Sequence, residues 1–171
     1  MAKRVLFVCM GNICRSPLAE GVFSRLAETA GLLGEGKLDV DSAGTTRFHV
    51  GESPDSRAVS AARARGIDIS GQCARQVARE DFERFHYVIA LDRDNLARLE
   101  RLAPAGAEER LSLLMAHAPG PTLDEVPDPY YGGPEGFERC IDLIEAGAQG
   151  LLARIVEDHF PEHADAARRQ A

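Results

Sequence analysis

Short runs of apolar and β-branched residues alternate along this chain with segments of helical periodicity. Arg4-Val5-Leu6-Phe7-Val8 is nearly continuous in its apolar character, as a strand covered on both faces would be. From Pro17 to Leu33 the apolar positions Leu18, Val22, Leu26, Ala30 and Leu33 form one stripe at helical spacing. Pro17 fits the first helical position, and Gly31, Gly34 and Gly36 end the segment. Lys37 to Ser42 alternates apolar and polar, which predicts a second strand with one wetter face. Ser53-Pro54 reads as a cap and first-turn pair opening a helix that runs to about Ala64 and closes at Gly66. Arg79 to Phe85 predicts a short helix, Tyr87 to Leu91 a buried strand, Asp94 to Leu102 a helix and Leu111 to Leu114 a fourth strand. The last long helix is expected from Pro134 to about Phe160, with Phe137, Ile141, Ile144, Ala148, Leu151 and Ile155 inward and Cys140 beside them. Gly147 and Gly150 each weaken it by roughly 1 kcal/mol relative to Ala.

This order predicts an α/β domain of three layers. A small parallel sheet of about four strands would be covered by helices on both faces. Ligands of such sheets bind outside the carboxyl ends of the strands. With 171 residues the chain fits one domain, expected over 1–160, with 161–171 as a flexible tail. Between His117 and Gly136 lie five of the nine prolines and four glycines. An irregular stretch of that length inside a compact domain is usually functional or disordered.

The first strand runs into Val8-Cys9-Met10-Gly11-Asn12-Ile13-Cys14-Arg15-Ser16-Pro17. A helix start presents unpaired N–H groups and partial positive charge to an anion. Gly11 and Asn12 can adopt the left-handed conformations that turn successive amides into an anion-binding nest. Arg15 adds a planar, always-charged fork suited to two oxyanion oxygens. A cysteine in such a field favours the thiolate. The loop therefore predicts a sulfur nucleophile beside an oxyanion cradle. It lacks the Gly-Lys-Ser/Thr ending of a nucleotide-binding loop and the three glycines of a dinucleotide fingerprint.

The net charge of −7 argues against nucleic acid and against a polybasic membrane surface. No apolar run approaches the ~18 residues of a membrane span. The start of the chain offers no signal-peptide core, so a cytoplasmic location is expected. The four cysteines, Cys9, Cys14, Cys73 and Cys140, do not suggest a disulfide framework, and no Cys-x-x-Cys or His cluster suggests zinc. His159 and His163, with Pro161 between them, read as a solvated helix end.

A thiolate that displaces a phenolate from phosphorus needs a proton donor, because phenol has a pKa near 10. The irregular stretch supplies one in Val126-Pro127-Asp128-Pro129-Tyr130-Tyr131. Prolines on both sides of Asp128 stiffen the backbone that carries the carboxyl. These features together, with Pro17-Leu18-Ala19-Glu20, Asp41-Ser42-Ala43-Gly44-Thr45, Gly51-Glu52-Ser53-Pro54-Asp55-Ser56-Arg57, Ala74-Arg75-Gln76 and Leu91-Asp92-Arg93-Asp94-Asn95, resemble the low-molecular-weight protein tyrosine phosphatases. The resemblance extends to about residue 160.

The resemblance implies phosphotyrosine-containing protein substrates, inorganic phosphate and other oxyanions as ligands or inhibitors, and no cofactor or metal. It implies Cys9 as nucleophile, Arg15 and the amides of Met10, Gly11, Asn12, Ile13 and Cys14 as the phosphoryl cradle, and Ser16 as hydrogen-bond partner of the thiolate. Asn12 and Ser42 would brace the loop, and Asp128 would serve as acid and then base. Met10, Ile13, Phe48, Tyr130 and Tyr131 would line the approach. Cys14, in the same loop as Cys9, is a candidate redox partner. Some relatives have His in the segment before Ala74-Arg75-Gln76, where this chain has Gln72, which cannot carry charge. Three other functions are weighed: phosphoarginine phosphatase, arsenate reductase, which would need further cysteines nearby, and a non-catalytic phosphopeptide-binding module.

Overall fold

The computed structural model describes residues 1–120 and 123–169. Strand β1 (Lys3–Cys9) leads into helix α1 (Arg15–Thr29), β2 (Leu38–Gly44), α2 (Ser56–Ala64), α3 (Asp81–Arg84), β3 (Tyr87–Ala90), α4 (Arg93–Leu102), β4 (Leu111–Leu113), α5 (Pro134–His159) and α6 (Ala164–Arg168). The sheet has the order β2-β1-β3-β4, and every pairing is parallel. This is the three-layer α/β arrangement that the alternating pattern predicts.

Successive side chains of a strand point to opposite faces. In β1, Val5, Phe7 and Cys9 join the apolar layer built with α1, α2 and α5. Leu6 and Val8 join the opposite layer, with Phe82 of α3 and Leu99 of α4. The parity that buries Phe7 therefore also directs the Cys9 side chain. Being second in the sheet, β1 is paired on both edges, and its carboxyl end opens into the loop that precedes α1.

Several elements depart from expectation, and local turns and tertiary contacts explain them. α1 ends at Thr29, and Gly31 then turns the chain with φ +70. That shifts the phase, so Leu32 is fully buried and Leu33 is 38% exposed. α2 is capped by Asp55, whose side chain accepts from Arg57 N–H at 2.9 Å, and not by Ser53. Of the residues expected as a flexible tail, Pro161–His163 form a 3-10 turn and 164–168 form α6, with Ala164 and Ala167 against the core. Gln170 and Ala171 lie outside the described residues. His159, expected at a solvated helix end, sits 2.7 Å from the Tyr87 hydroxyl through Nε2. No helix of the described residues is long and apolar enough to cross a membrane.

The two glycines that weaken α5 have a packing cause. A Cβ on Gly147 would lie 2.6 Å from Leu114 Cγ, and one on Gly150 would lie 1.6 Å from the His117 carbonyl oxygen. Their absence lets α5 press against the 3-10 turn Leu114–His117. Gly150→Ala should therefore lower stability by about 1–3 kcal/mol through overpacking, although helix propensity alone would raise it by about 1 kcal/mol. Thermal unfolding followed by circular dichroism checks this; a raised midpoint would show that the approach is soft.

Candidate active site

The loop between β1 and α1 is held by its carbonyls. Thr45 N–H donates to Cys9 O at 2.9 Å, Thr46 N–H to Met10 O at 3.0 Å and Asp55 N–H to Ile13 O at 2.7 Å. In a trans peptide the N–H points opposite to the carbonyl. The N–H groups of Met10, Gly11 and Cys14 are therefore turned to the other side of the loop. The carboxyl end of β2 makes this anchoring possible by coming very close: a Cβ on Gly44 would fall 2.7 Å from Met10 O.

Asn12 holds the turn itself. Its φ of 57 lies in the left-handed region, which Asn tolerates better than most residues. Its Nδ2 donates to Ser16 Oγ at 2.8 Å and to Ser42 Oγ at 3.0 Å, and its Oδ1 accepts from Arg75 N–H at 3.0 Å. Because Ser16 Oγ accepts from Asn12, its own hydrogen is available to Cys9 Sγ, 3.0 Å away, or to Ala43 O at 3.3 Å. Asn12 N–H adds a second donor to Cys9 Sγ at 3.3 Å. Ser16 Oγ and the Asn12 N–H thus both stand within hydrogen-bond reach of the sulfur of Cys9, a residue that is 3% exposed.

Arg15, also 3% exposed, has its fork divided. Nη1 donates to Asp92 Oδ2 at 2.5 Å and to Val126 O at 3.0 Å, while Nη2 lies 3.7 Å from Asp128 Oδ2. Burial works against the guanidinium charge, but Cys9, Asp92 and Asp128 more than offset it and raise its pKa. Asp92 is itself oriented by Asn95 N–H at 2.7 Å, as the cap of α4.

These groups meet in a pocket of about 300 Å3. Cys9 and Arg15 lie at its buried end, Met10, Gly11, Ile13 and Cys14 form one side, and Phe48, His49, Asp128, Tyr130 and Tyr131 form the rest. Tyr131 is 96% exposed at the mouth. The Tyr130 and Tyr131 rings meet edge to face with centroids 4.9 Å apart. Every predicted site residue is at the pocket except Asn12, Ser16 and Ser42, which stand behind the loop and support it. Burial pushes the Cys14 thiol well up, and the charges of Asp55 and Cys9 add to this.

Sequence reasoning missed several supporting groups. Asp92 holds Arg15, and His49 packs over Gly11 with Nδ1 2.6 Å from Glu52. Arg75 spans Asp41 and Asp81 at 3.0 Å each. Glu20, one helical turn beyond Ser16, accepts from Ser42 Oγ at 2.6 Å. Gln72, already singled out in the sequence, donates to Pro17 O at 3.1 Å, and its Oε1 lies 3.5 Å from Ser42 Oγ. One signal was available for Asp92: it directly follows a buried strand, at the end of the sheet where ligands bind.

The family profile of the low molecular weight phosphotyrosine protein phosphatases matches residues 4–160. The chain belongs to that family. It is 48% identical to a Streptomyces coelicolor low molecular weight protein-tyrosine-phosphatase over 164 residues, covering 92% of this chain and 96% of that one. A crystal structure of the Entamoeba histolytica protein tyrosine phosphatase with Hepes in its active site superposes with a TM-score of 0.87 at 36% identity. That match covers 91% of this chain and 98% of the other. A crystal structure of a Drosophila arginine phosphatase is also similar, at 30% identity and a TM-score of 0.80, over 88% and 96% of the two chains.

In this phosphatase chain Glu20 carries the clearest pH signature. Burial raises its pKa from 4.5 to about 7, Asp41 adds to the rise, and Ser42 and Arg75 oppose it. The folded form therefore holds a proton that the unfolded form releases. Stability is fully present below about 4.5 and is lost as pH rises through about 7. Glu20→Gln should remove on the order of 2 kcal/mol of the fall in stability between pH 5 and 8. Urea unfolding at the two pH values measures it, and an unchanged pH dependence would exclude Glu20 as its source.

Proposed function

We propose that this protein hydrolyses phosphotyrosine in protein substrates through a phosphocysteine intermediate. One observation supports it above the rest: a sulfur hydrogen-bonded to Ser16 and Asn12, the Arg15 guanidinium and the Asp128 carboxyl share one aromatic-walled pocket. In the first step the Cys9 sulfur attacks phosphorus, the S–P bond forms and the P–O bond to the ring breaks. Asp128 gives its proton to the departing phenolate oxygen. The loop amides and Arg15 bear the charge that builds on the phosphoryl oxygens. In the second step Asp128 takes a proton from water, which attacks phosphorus. The S–P bond breaks, inorganic phosphate forms, and the thiolate returns to the donors from Ser16 and Asn12.

The same loop suggests redox control. Peroxide would oxidise Cys9 to a sulfenic acid, and the Cys14 thiol would displace water from it to form a disulfide, which a dithiol reverses. A cytoplasmic location fits a site whose nucleophile must stay reduced.

Two variants test the chemistry together. Cys9→Ser should abolish turnover while vanadate still binds. Asp128→Ala should cost about 100-fold or more on phenyl phosphate and far less on p-nitrophenyl phosphate, because protonation matters in proportion to leaving-group basicity. Steady-state kinetics on both esters decides it; equal losses would make Asp128 structural.

The Drosophila likeness makes phosphoarginine the second substrate to examine. Ile13 presents only methyl groups to the pocket, so the N–H next to a phosphoarginine phosphorus would meet no acceptor there, at a cost of about 1–3 kcal/mol. Wild type should prefer phosphotyrosine peptides, and Ile13→Thr should narrow or reverse the preference. A higher wild-type kcat/KM on phosphoarginine peptides would overturn the tyrosine reading.

A further inference from the structure

Asp128 sits on a segment with little of its own to hold it. Val126 is anchored on both sides, by its N–H to Leu91 O at 2.9 Å and by its carbonyl to Arg15. Beyond it, among the described residues, the hydrogen bonds of 127–133 stay local. Tyr130 N–H donates to Asp128 Oδ1 at 3.1 Å, Gly132 N–H to Pro129 O at 3.1 Å, and Gly136 N–H to Gly133 O at 3.0 Å. The Arg15–Asp128 contact, at 3.7 Å, is too long for a hydrogen bond.

Arg57 reaches this segment from α2. Its guanidinium carbon lies 5.4 Å from the centroid of the Tyr130 ring and 4.9 Å from that of Phe137, which is fully buried at the start of α5. Both distances suit attraction between a cation and an aromatic face. The guanidinium is not free to wander, because Asp55 grips it twice, at 3.0 Å through Nε and 2.9 Å through Nη2. Asp55 is fixed in turn, as the cap of α2 and by its N–H on Ile13 O at 2.7 Å. A continuous line of contacts thus joins the phosphoryl cradle to the acid's segment: Ile13, Asp55, Arg57, Tyr130, Asp128.

We propose that Arg57 is a positioning residue for the general acid: lying over the Tyr130 ring and held by Asp55, it sets where Asp128 stands relative to the cradle that Ile13 belongs to. The inference rests on the reading of Asp128 as the acid. Arg57 touches neither sulfur nor phosphorus in this role. It acts through Tyr130, whose N–H holds the Asp128 carboxyl. A planar fork is suited to the task, since it can grip Asp55 with its edge while its face meets a ring.

The role leaves a signature that loss of fold would not. A misplaced acid matters only when the leaving group needs a proton. The experiment measures kcat/KM on phenyl phosphate and p-nitrophenyl phosphate for Arg57→Ala, Arg57→Met, Asp128→Ala and the Arg57→Ala/Asp128→Ala double variant. Arg57→Ala should lose about tenfold on phenyl phosphate and less than about twofold on p-nitrophenyl phosphate. Arg57→Met, which keeps an apolar stem without the charge or the fork, should match it. In the double variant Arg57→Ala should add less than about twofold, because the group it positions is already gone. Equal losses on the two esters, a full further loss in the double variant, or wild-type behaviour of Arg57→Met would each overturn the proposal. If Asp128→Ala itself distinguishes the esters while Arg57→Ala does not, the positioning role alone falls. If Asp128→Ala fails to distinguish them, the acid assignment falls and the positioning role falls with it.

Discussion

A guanidinium almost without water is the constraint on which the site depends. Taking Arg15 out of solvent costs several kcal/mol unless its charge and its N–H groups are met in place. Asp92 and the Val126 carbonyl meet one nitrogen of the fork, and the other is left toward Asp128 and the pocket. Each of these partners brings a piece of the fold with it. Asp92 caps the start of α4, Val126 is hydrogen-bonded to the residue after β3, and Arg15 begins α1. The cation can be buried only where three separate stretches of the chain meet, so the oxyanion cradle depends on the tertiary fold and not on its loop alone.

The elements themselves were legible from local pattern. β1, β3 and the long helix α5 declare themselves by apolar runs and stripes, and the loop after β1 by residues within seven positions of each other. Asp128 stood out because prolines flank it. What stayed hidden were several supporting partners brought in from afar: Asp92 meets Arg15 across 77 positions, Arg75 meets Asn12 across 63 and Glu20 meets Ser42 across 22. No periodicity encodes such pairings, because they depend on which strand lies beside which. Glu20 shows the difficulty best. In the sequence it is one more polar residue on a helix, and only its placement against β2 makes it a half-neutral carboxyl behind the loop.

The departures from expectation have identifiable physical causes. Leu33 continues the α1 stripe on paper, but Gly31 ends the helix and hands the buried place to Leu32. Gly147 and Gly150 look like flaws in α5 until the chain at 114–117 is seen lying against them. The first is a local turn, whereas at the two glycines a neighbour from elsewhere in the chain overrides the local preference. Gln72 is similar: it brings no charge to the supporting network, yet its amide bridges the Pro17 carbonyl and the neighbourhood of Ser42.

The hydrogen bond from Arg15 to the Val126 carbonyl ties two parts of the site together. The guanidinium that faces the pocket also holds the stretch of chain that ends, two residues on, at Asp128. Whatever moves the cation therefore moves the carboxyl with it, and cradle and acid share one point of attachment. A side chain with the same charge but without the fork would leave the pocket its field and take away its alignment.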